Sequence, residues 1–99
     1  MIRHIKMLDF HKDMSDSDKR IAAFNIKKGI EGLNGKIKDM VKVEAEAILL
    51  GSSNADMVIV GEFNNEEAIE AYENSPLRLN FSSTWDKAVA CVKTANFID

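Results

Sequence analysis

Two ionisable side chains near the N-terminus fall on the same face of a predicted β-strand. Residues 1–10 alternate in polarity, and the alternation places His4 and Lys6 on one face with Leu8 and Phe10. Ionisable groups are seldom fully buried without a partner. A neutral imidazole can act as a base or donate a hydrogen bond. If this face covers a cavity, His4 and Lys6 are the first polar groups that a ligand would meet.

Two further polar side chains, Tyr72 and Arg78, are candidates for the same site. Tyr72 lies on the apolar stripe of a predicted helix, and a buried tyrosine hydroxyl generally has a partner. Arg78 follows the helix-breaking Pro76 and can bind a carboxylate or phosphate in bidentate fashion. Structural alternatives stay open: a histidine bonded to a backbone carbonyl, a lysine extending to the rim, and an arginine paired with Glu73.

The remaining reactive residue types do not form a recognisable motif. The single cysteine, Cys91, cannot form an internal disulfide and is interpreted as a small apolar residue of the third helix. His11 lies in a polar turn without a second ligand at metal spacing. The glycines at positions 29, 32 and 35 follow a helix rather than a strand, so they are not a dinucleotide motif. We therefore expect no metal and no cofactor.

Composition indicates one ordinary globular domain spanning residues 1–99. The chain is 45% hydrophobic and 29% charged, and its net charge of -3 offers no general attraction to nucleic acid or to anionic membranes. No apolar run approaches the roughly 18 residues of a membrane span. Charged residues interrupt the N-terminal segment, which argues against a secretory signal, so a cytoplasmic location is expected.

The first half of the chain predicts a strand, a helix and two further strands. Ser15, with an acidic residue three positions on, resembles a capping box that begins the first helix, and Gly32 lies near its end. Alternating residues predict a strand over 40–50, and an apolar run predicts a buried strand over 57–63. Gly61 inside this last strand indicates a close approach or a bulge.

The second half predicts two helices and a final strand. Asn64 is expected to cap the second helix, which ends before Pro76. Apolar residues at helical spacing predict a third helix from Leu77 to Val92, followed by a strand over 93–98. The order β-α-β-β-α-α-β indicates an α+β ferredoxin-like fold, an antiparallel sheet with its helices on one face.

The other face of this sheet is expected to be covered by a second copy of the chain. Ile5, Met7 and the apolar strand 57–63 require burial on both faces of the sheet. Each large aliphatic side chain left exposed forfeits roughly 1.5–3 kcal/mol of burial. The sequence therefore predicts a two-fold homodimer formed through the open sheet face.

The sequence resembles the stress-responsive A/B barrel domain (Dabb) family over its whole length. Met1, Ile2, His4 and Ile5 match the family's opening Met-Ile-x-His-Ile strand. Further matches run from the third strand into the second helix: Ala55-Asp56-Met57-Val58-Ile59-Val60, Glu62-Phe63, Glu67-Ala68, Tyr72 and Pro76. The resemblance implies a dimeric α+β barrel, in which two ferredoxin-like sheets face each other.

The resemblance also implies a site. Similar cyclases close a linear polyketide without a cofactor, and their cavity is lined by a strand histidine, a helix tyrosine and a histidine of a His-Pro-x-His motif. His4 and Tyr72 match the first two positions, but the motif reads Ser75-Pro76-Leu77-Arg78 here. An arginine stays protonated and cannot abstract a proton. This departure argues against a cyclase without removing the cavity.

The leading interpretation is a Dabb-type homodimer that binds a small, partly apolar molecule between sheet and helices, with Lys6 favouring an anion. One alternative is a cofactor-independent cyclase or isomerase with His4 and Tyr72 as catalytic residues. Another is a structural dimer without a ligand. A haem-degrading monooxygenase is disfavoured, since the residues of such enzymes cannot be placed here. The expected ligand contacts are His4, Lys6, Leu8, Phe10, Ala22, Ile26, Ile59, Tyr72, Arg78, Leu79 and Phe81.

Overall fold

A computed structural model describes residues 1–47 and 49–99, and the elements below lie within those ranges. Strands and helices alternate largely as the sequence predicts. The elements are β1 (Ile2–Phe10), α1 (Asp16–Glu31), β2 (Met40–Glu46), β3 (Met57–Phe63), α2 (Glu66–Glu73), α3 (Pro76–Leu79), α4 (Ser82–Ala88) and β4 (Val89–Ile98).

The four strands form one antiparallel sheet in the order β2-β3-β1-β4. This order is the ferredoxin-like arrangement, so the predicted α+β fold is confirmed. β1 lies at the centre and pairs with both β3 and β4. In its register His4 stands opposite Gly61 on one side and Asn96 on the other. Directly opposed residues project to the same face of a sheet, so this register decides which side chains can share a site with His4.

The helices cover one face of the sheet and enclose the core. On β1 the alternate residues His4, Lys6, Leu8 and Phe10 are buried. α1 packs against this face through a stripe of small and aliphatic side chains at helical spacing, namely Ala22, Ala23, Ile26 and Ile30. The prediction that the polar pair of β1 faces inward with its apolar neighbours is confirmed by this burial.

The N-terminal cap of α1 is the residue that the sequence predicts, whereas the N-terminal cap of α2 is a different residue. Ser15 caps α1, and its hydroxyl accepts a hydrogen bond from the backbone N–H of Asp18 at 3.1 Å. The cap of α2 is Asn65, whose side chain accepts from the N–H of Ala68 at 2.8 Å. Asn64 was the wrong choice, because its backbone N–H donates to the Asp39 carbonyl instead.

The segment after Pro76 departs most from the predicted structure. It forms two short helices, and the chain enters β4 at Val89, where a helix to Val92 was predicted. Val89 pairs with Phe10 and Val92 with Leu8, so hydrogen bonds to the central strand replace the helical ones. Cys91 therefore lies on β4, where it is exposed, and not on a helix.

One strand is shorter than the sequence predicts, and one glycine inside a strand makes a close contact. β2 ends at Glu46, short of the predicted end near residue 50, and position 48 of that prediction lies outside the described residues. Gly61 makes the close approach that its position indicates. A Cβ atom at Gly61 would lie 2.6 Å from the ring of Phe63, which is fully buried over it.

The second face of the sheet carries apolar side chains that the described helices leave uncovered. Met7 is 43% exposed, and Ile5, Val58 and Val60 are half-buried beside it. The register places Ile5 opposite Val60 and Met7 opposite Val58, so these four side chains form one patch at the centre of the sheet. We call it the open-face patch. Among the described helices, none has the length and apolar character needed to cross a membrane.

Candidate functional site

The central strand β1 places His4 and Lys6 side by side under the helices. The two side chains are two positions apart on one face, and only 1% and 8% of their side-chain surfaces are exposed. Burial of a histidine and a lysine this close together requires polar partners. Each finds one on another element.

Glu73, the last residue of α2, is the partner of both. Its Oε1 atom lies 2.7 Å from Lys6 Nζ and 3.3 Å from His4 Nε2. Lys6 is therefore ion-paired inside the domain and does not extend to the rim. The sequence interpretation had assigned Glu73 only as a possible partner of Arg78. The Arg78 guanidinium instead donates, through Nη1, to the backbone carbonyl of Glu73 at 3.4 Å.

The charges of this cluster change the acidity of its members. The His4 imidazole, and after it the Lys6 ammonium, lower the pKa of Glu73 to about 2, although burial acts in the opposite direction. Burial lowers the pKa of Lys6, and its hydrogen bond to Glu73 opposes that effect. Glu73 thus stays a carboxylate across the physiological range and provides the counter-charge for Lys6.

The orientation of His4 is fixed by Asn96 of β4. His4 Nδ1 lies 2.5 Å from Asn96 Oδ1, and because this oxygen accepts, the network assigns a proton to Nδ1. His4 Nε2 is buried and has no aligned hydrogen bond within the described residues; its approach to Glu73 is a close polar contact. In the neutral imidazole Nε2 then presents a lone pair, and in the protonated ring it donates.

Tyr72 brings a second buried polar atom to the cluster. The residue is fully buried, and its hydroxyl makes no aligned hydrogen bond in the described part of the chain, although the nearby Arg78 side chain opposes the effect of burial on its pKa. The rings of His4 and Phe63 pack against it at centroid distances of 5.9 and 5.5 Å. Burial raises the pKa of Tyr72, so the phenol stays protonated and can donate a hydrogen bond.

Arg78 of α3 closes the cluster on the side of the helices. Its guanidinium carbon lies 5.0 Å from the ring centre of Trp85 and 5.6 Å from that of Tyr72, both cation–π distances. Lys6 Nζ approaches the same Trp85 ring at 5.8 Å. Arg78 Nε is buried without a partner among residues 1–47 and 49–99. The Trp85 ring therefore lies within cation–π distance of two cations.

The apolar residues expected to wall a cavity lie at different depths. Five of them are buried in the core: Leu8, Phe10, Ala22, Ile26 and Ile59. Phe81 is partly buried and packs over Gly29, whereas Leu79 is 55% exposed. A groove of about 460 Å³ lies at the other end of β1, between Phe10, α1 and the end of β2, and of the expected contacts it includes Phe10.

The sequence interpretation missed two residues of the cluster, Asn96 and Glu73, and each could have been inferred from a feature of the sequence. Asn96 is a polar residue in the inward register of the last strand, so pairing with β1 would have placed it opposite His4. A lysine predicted on a buried face requires an acidic partner, and Glu73 follows the inward Tyr72 directly. The part of the chain that the structure describes contains no group of three or more His, Cys, Asp or Glu residues arranged to hold a metal.

The fold and this cluster define an α+β protein of the ferredoxin-like class with buried polar groups between sheet and helices. Residues 2–99 match the model of a family described as Stress responsive A/B Barrel Domain (Dabb). The chain belongs to this family, as its opening strand and second helix indicated. No curated protein matches the sequence.

Solved structures share the fold at low sequence identity. A dimeric ferredoxin-like protein of unknown function from Bacteroides fragilis aligns with a TM-score of 0.89 and 18% identity, covering 97% of this chain and 93% of that one. A Dabb family protein from Mesorhizobium loti gives 0.73 and 15%, covering 99% and 95%. A hydroxynitrile lyase from Passiflora edulis gives 0.71 and 16%, covering 99% and 92%.

Proposed function

We propose that the protein is a homodimer that binds a small, partly apolar anion beside His4, Tyr72 and Arg78. One observation carries the proposal: three buried polar atoms on these neighbouring side chains make no aligned hydrogen bond within the described residues, namely Tyr72 Oη, Arg78 Nε and His4 Nε2, the last of which has only its 3.3 Å contact with Glu73. A buried polar group left unpaired costs roughly 1–3 kcal/mol. A ligand that bonds to these atoms would offset part of that cost.

The chemistry of the three atoms favours an oxygen-bearing anion. Tyr72 Oη and Arg78 Nε both donate, and His4 Nε2 donates when its ring is protonated, so the ligand must supply acceptors. Lys6 and Arg78 carry two positive charges against the single carboxylate of Glu73, which leaves the cluster one charge positive when His4 is neutral. The Trp85 ring beside both cations suits an aromatic or apolar ligand body.

The homodimer is proposed from the open-face patch. Apolar side chains at the centre of a sheet, left without a covering helix, are a typical surface for a second copy of the same chain. Descriptions of similar structures as dimeric support the proposal, as does the family to which the chain belongs. Each copy would then keep its own polar cluster on the helix side of its sheet.

A cofactor-independent enzyme is the second candidate, and the His4 geometry favours it. With the proton on Nδ1 held by Asn96, a neutral His4 presents a lone pair at Nε2, as a general base requires. Tyr72 would then donate to an oxyanion formed by proton abstraction next to a carbonyl. A hydroxynitrile lyase among the similar structures supports an enzyme, while Arg78 in place of a histidine opposes a cyclase.

Native mass spectrometry of protein purified gently from its host tests the proposal, because it reports subunit number and retained ligand together. We expect a dimer that carries extra mass. The Tyr72→Phe variant keeps the ring and loses the hydroxyl, so it should bind the released ligand about tenfold more weakly. Lys28→Ala, an exposed change on α1, serves as the control and should bind normally.

The outcomes separate the candidate functions. A ligand recovered chemically unchanged supports the binding protein, and conversion that is lost in His4→Ala supports the enzyme. An empty dimer that small aromatic and fatty acids do not stabilise against heat would contradict both and leave a structural dimer.

A further inference from the structure

Glu73, the acidic residue of the cluster, is more exposed than its partners His4 and Lys6, and it lies at the end of its helix. Side-chain exposure is 1% for His4 and 8% for Lys6, both on the central strand, but 34% for Glu73. Glu73 is also the last residue of α2, where the negative end of the helix dipole disfavours a carboxylate. A partly exposed carboxylate is thus held by two partners that are buried on the central strand.

A single oxygen makes both contacts. Glu73 Oε1 lies at ion-pair distance from Lys6 Nζ, 2.7 Å, and 3.3 Å from His4 Nε2. A carboxylate belonging to another molecule would meet the same two nitrogens at this point, Lys6 Nζ as the charged donor and His4 Nε2 as a donor when its ring is protonated. Arg78 adds a second positive charge nearby, and the Trp85 ring offers an aromatic surface beside it.

We propose that Glu73 occupies the anion-binding position of this site as an internal competitor, and that an organic monocarboxylate with an aromatic body displaces it. The inference rests on the proposed binding function and specifies its ligand class. In the free protein the Glu73 carboxylate neutralises Lys6. When the ligand binds, its carboxylate pairs with Lys6 and the Glu73 side chain turns toward solvent.

This exchange would make Glu73 a specificity-determining residue. A small carboxylate that only replaces the Glu73 charge gains little, because it exchanges one ion pair for another. A carboxylate whose body also packs on Trp85 gains contacts that Glu73 cannot make. Simple acids would therefore bind poorly, and aromatic acids would be selected.

Replacing Glu73 with glutamine removes the competing charge and keeps the shape of the side chain. We expect E73Q to bind benzoate at least about tenfold more tightly than the wild-type protein does in titration calorimetry. Benzamide, which has the same shape without the charge, should bind the two proteins equally. The matched control is E70Q, which removes an exposed glutamate from the same helix and should bind benzoate as the wild-type protein does.

The double variant K6M/E73Q should bind benzoate no more tightly than the wild-type protein does, because Lys6 is the cation that benzoate would pair with. If E73Q proves too unstable for titration, its thermal midpoint should rise saturably with benzoate and not with benzamide. Equal benzoate affinity in the wild-type protein, E70Q and E73Q would overturn the proposal, as would an unstable E73Q that benzoate does not stabilise.

Failure of this inference can be told from failure of the proposed function. A neutral ligand retained by the wild-type dimer in native mass spectrometry would keep the binding function and overturn the role of Glu73. A wild-type dimer that retains no ligand, together with an E73Q variant that binds no carboxylate, would overturn the binding function itself.

Discussion

The Lys6 ammonium is buried on the central strand, and its ion pair with Glu73 offsets the free-energy cost of removing the charge from water. Removing a charge from water costs several kcal/mol, and the attraction of a close partner compensates only when the geometry is good. The 2.7 Å contact between Lys6 Nζ and Glu73 Oε1 has that geometry, and the Trp85 ring adds a cation–π contact. The pair is consequently sensitive to loss of the acidic partner.

The depressed pKa of Glu73 predicts acid sensitivity. Its pKa of about 2 in the folded protein lies below its ordinary value of 4.5, so the unfolded chain binds the proton first as pH falls. The stability that Glu73 contributes is present above about pH 4.5 and is lost as the pH falls toward 2. E73Q should lack this dependence and should be about 1–2 kcal/mol less stable at pH 7, a figure reduced for its partial exposure.

Urea unfolding at pH 7, 4.5 and 3 measures this dependence. The difference in unfolding free energy between the wild-type protein and E73Q should narrow as the pH falls. E70Q serves as the control and should parallel the wild-type protein at each pH. A gap between the wild-type protein and E73Q that stays constant from pH 7 to pH 3 would contradict the assignment.

At the scale of single residues, alternation in the sequence predicted the inward direction of His4, Lys6 and Tyr72, because the period of a strand or helix fixes the side-chain direction. Alternation could not supply the partners. Glu73 and Asn96 reach the cluster through the packing of α2 and the register of β4, both set by contacts between distant segments. The partners of a buried polar residue are therefore the harder part to predict.

Side chains of α1 and of the turn that follows α1 form hydrogen bonds with the backbone on the outer edge of strand β2. Asn34 Oδ1 accepts from the Val43 N–H and Asn34 Nδ2 donates to the Val43 carbonyl, both at 2.8 Å. Glu31 accepts from the Ala45 N–H at 3.0 Å, and a lysine of α1 donates to the Ala45 carbonyl. These bonds replace those of a further strand and protect the edge from pairing with another chain.

Replacing Asn34 with alanine should leave part of the backbone edge of β2 without its hydrogen-bond partners. Two hydrogen bonds to the backbone of the buried Val43 would be lost, and we expect a loss of about 1–2 kcal/mol in the free energy of unfolding. Asn25→Ala, an exposed change within α1, is the control and should be neutral or slightly stabilising. Urea unfolding measures both variants, and equal stability of Asn34→Ala and the wild-type protein would refute the role of Asn34.

At the scale of elements, local patterns predicted the helices and strands wherever local and long-range preferences agree. The Ser15 cap and the alternating first strand are such cases. The segment after Ala88 is the exception, because Val89 and Val92 suit a helix by spacing and a strand by β-branching. Pairing with Phe10 and Leu8 of β1 decides in favour of the strand, and no local window of sequence contains that information.

At the scale of the whole molecule, the two faces of the sheet differ in burial and chemical character. The helix-covered face carries the core and the polar cluster, whereas the open-face patch is apolar and borders charged pairs such as Arg3 with Glu62 at 3.3 Å. An apolar centre with a charged rim is the arrangement expected of an interface between protein copies. Substitutions in the polar cluster and in the proposed dimer surface should therefore act independently of each other.

A charge placed in the open-face patch should separate the copies and leave each one folded. Met7 is 43% exposed in the single chain, so Met7→Glu should change the unfolding free energy of that chain little. In a dimer the new carboxylate would be taken out of water, and the desolvation penalty can exceed its attraction to Lys93, which stands opposite position 7 on β4. Phe24→Glu, on the outer side of α1 at 65% exposure, is the matched control. Sedimentation equilibrium should give a dimer for the wild-type protein and Phe24→Glu and a monomer for Met7→Glu, with unchanged circular dichroism. A Met7→Glu protein that sediments as a dimer would place the interface elsewhere on the molecule.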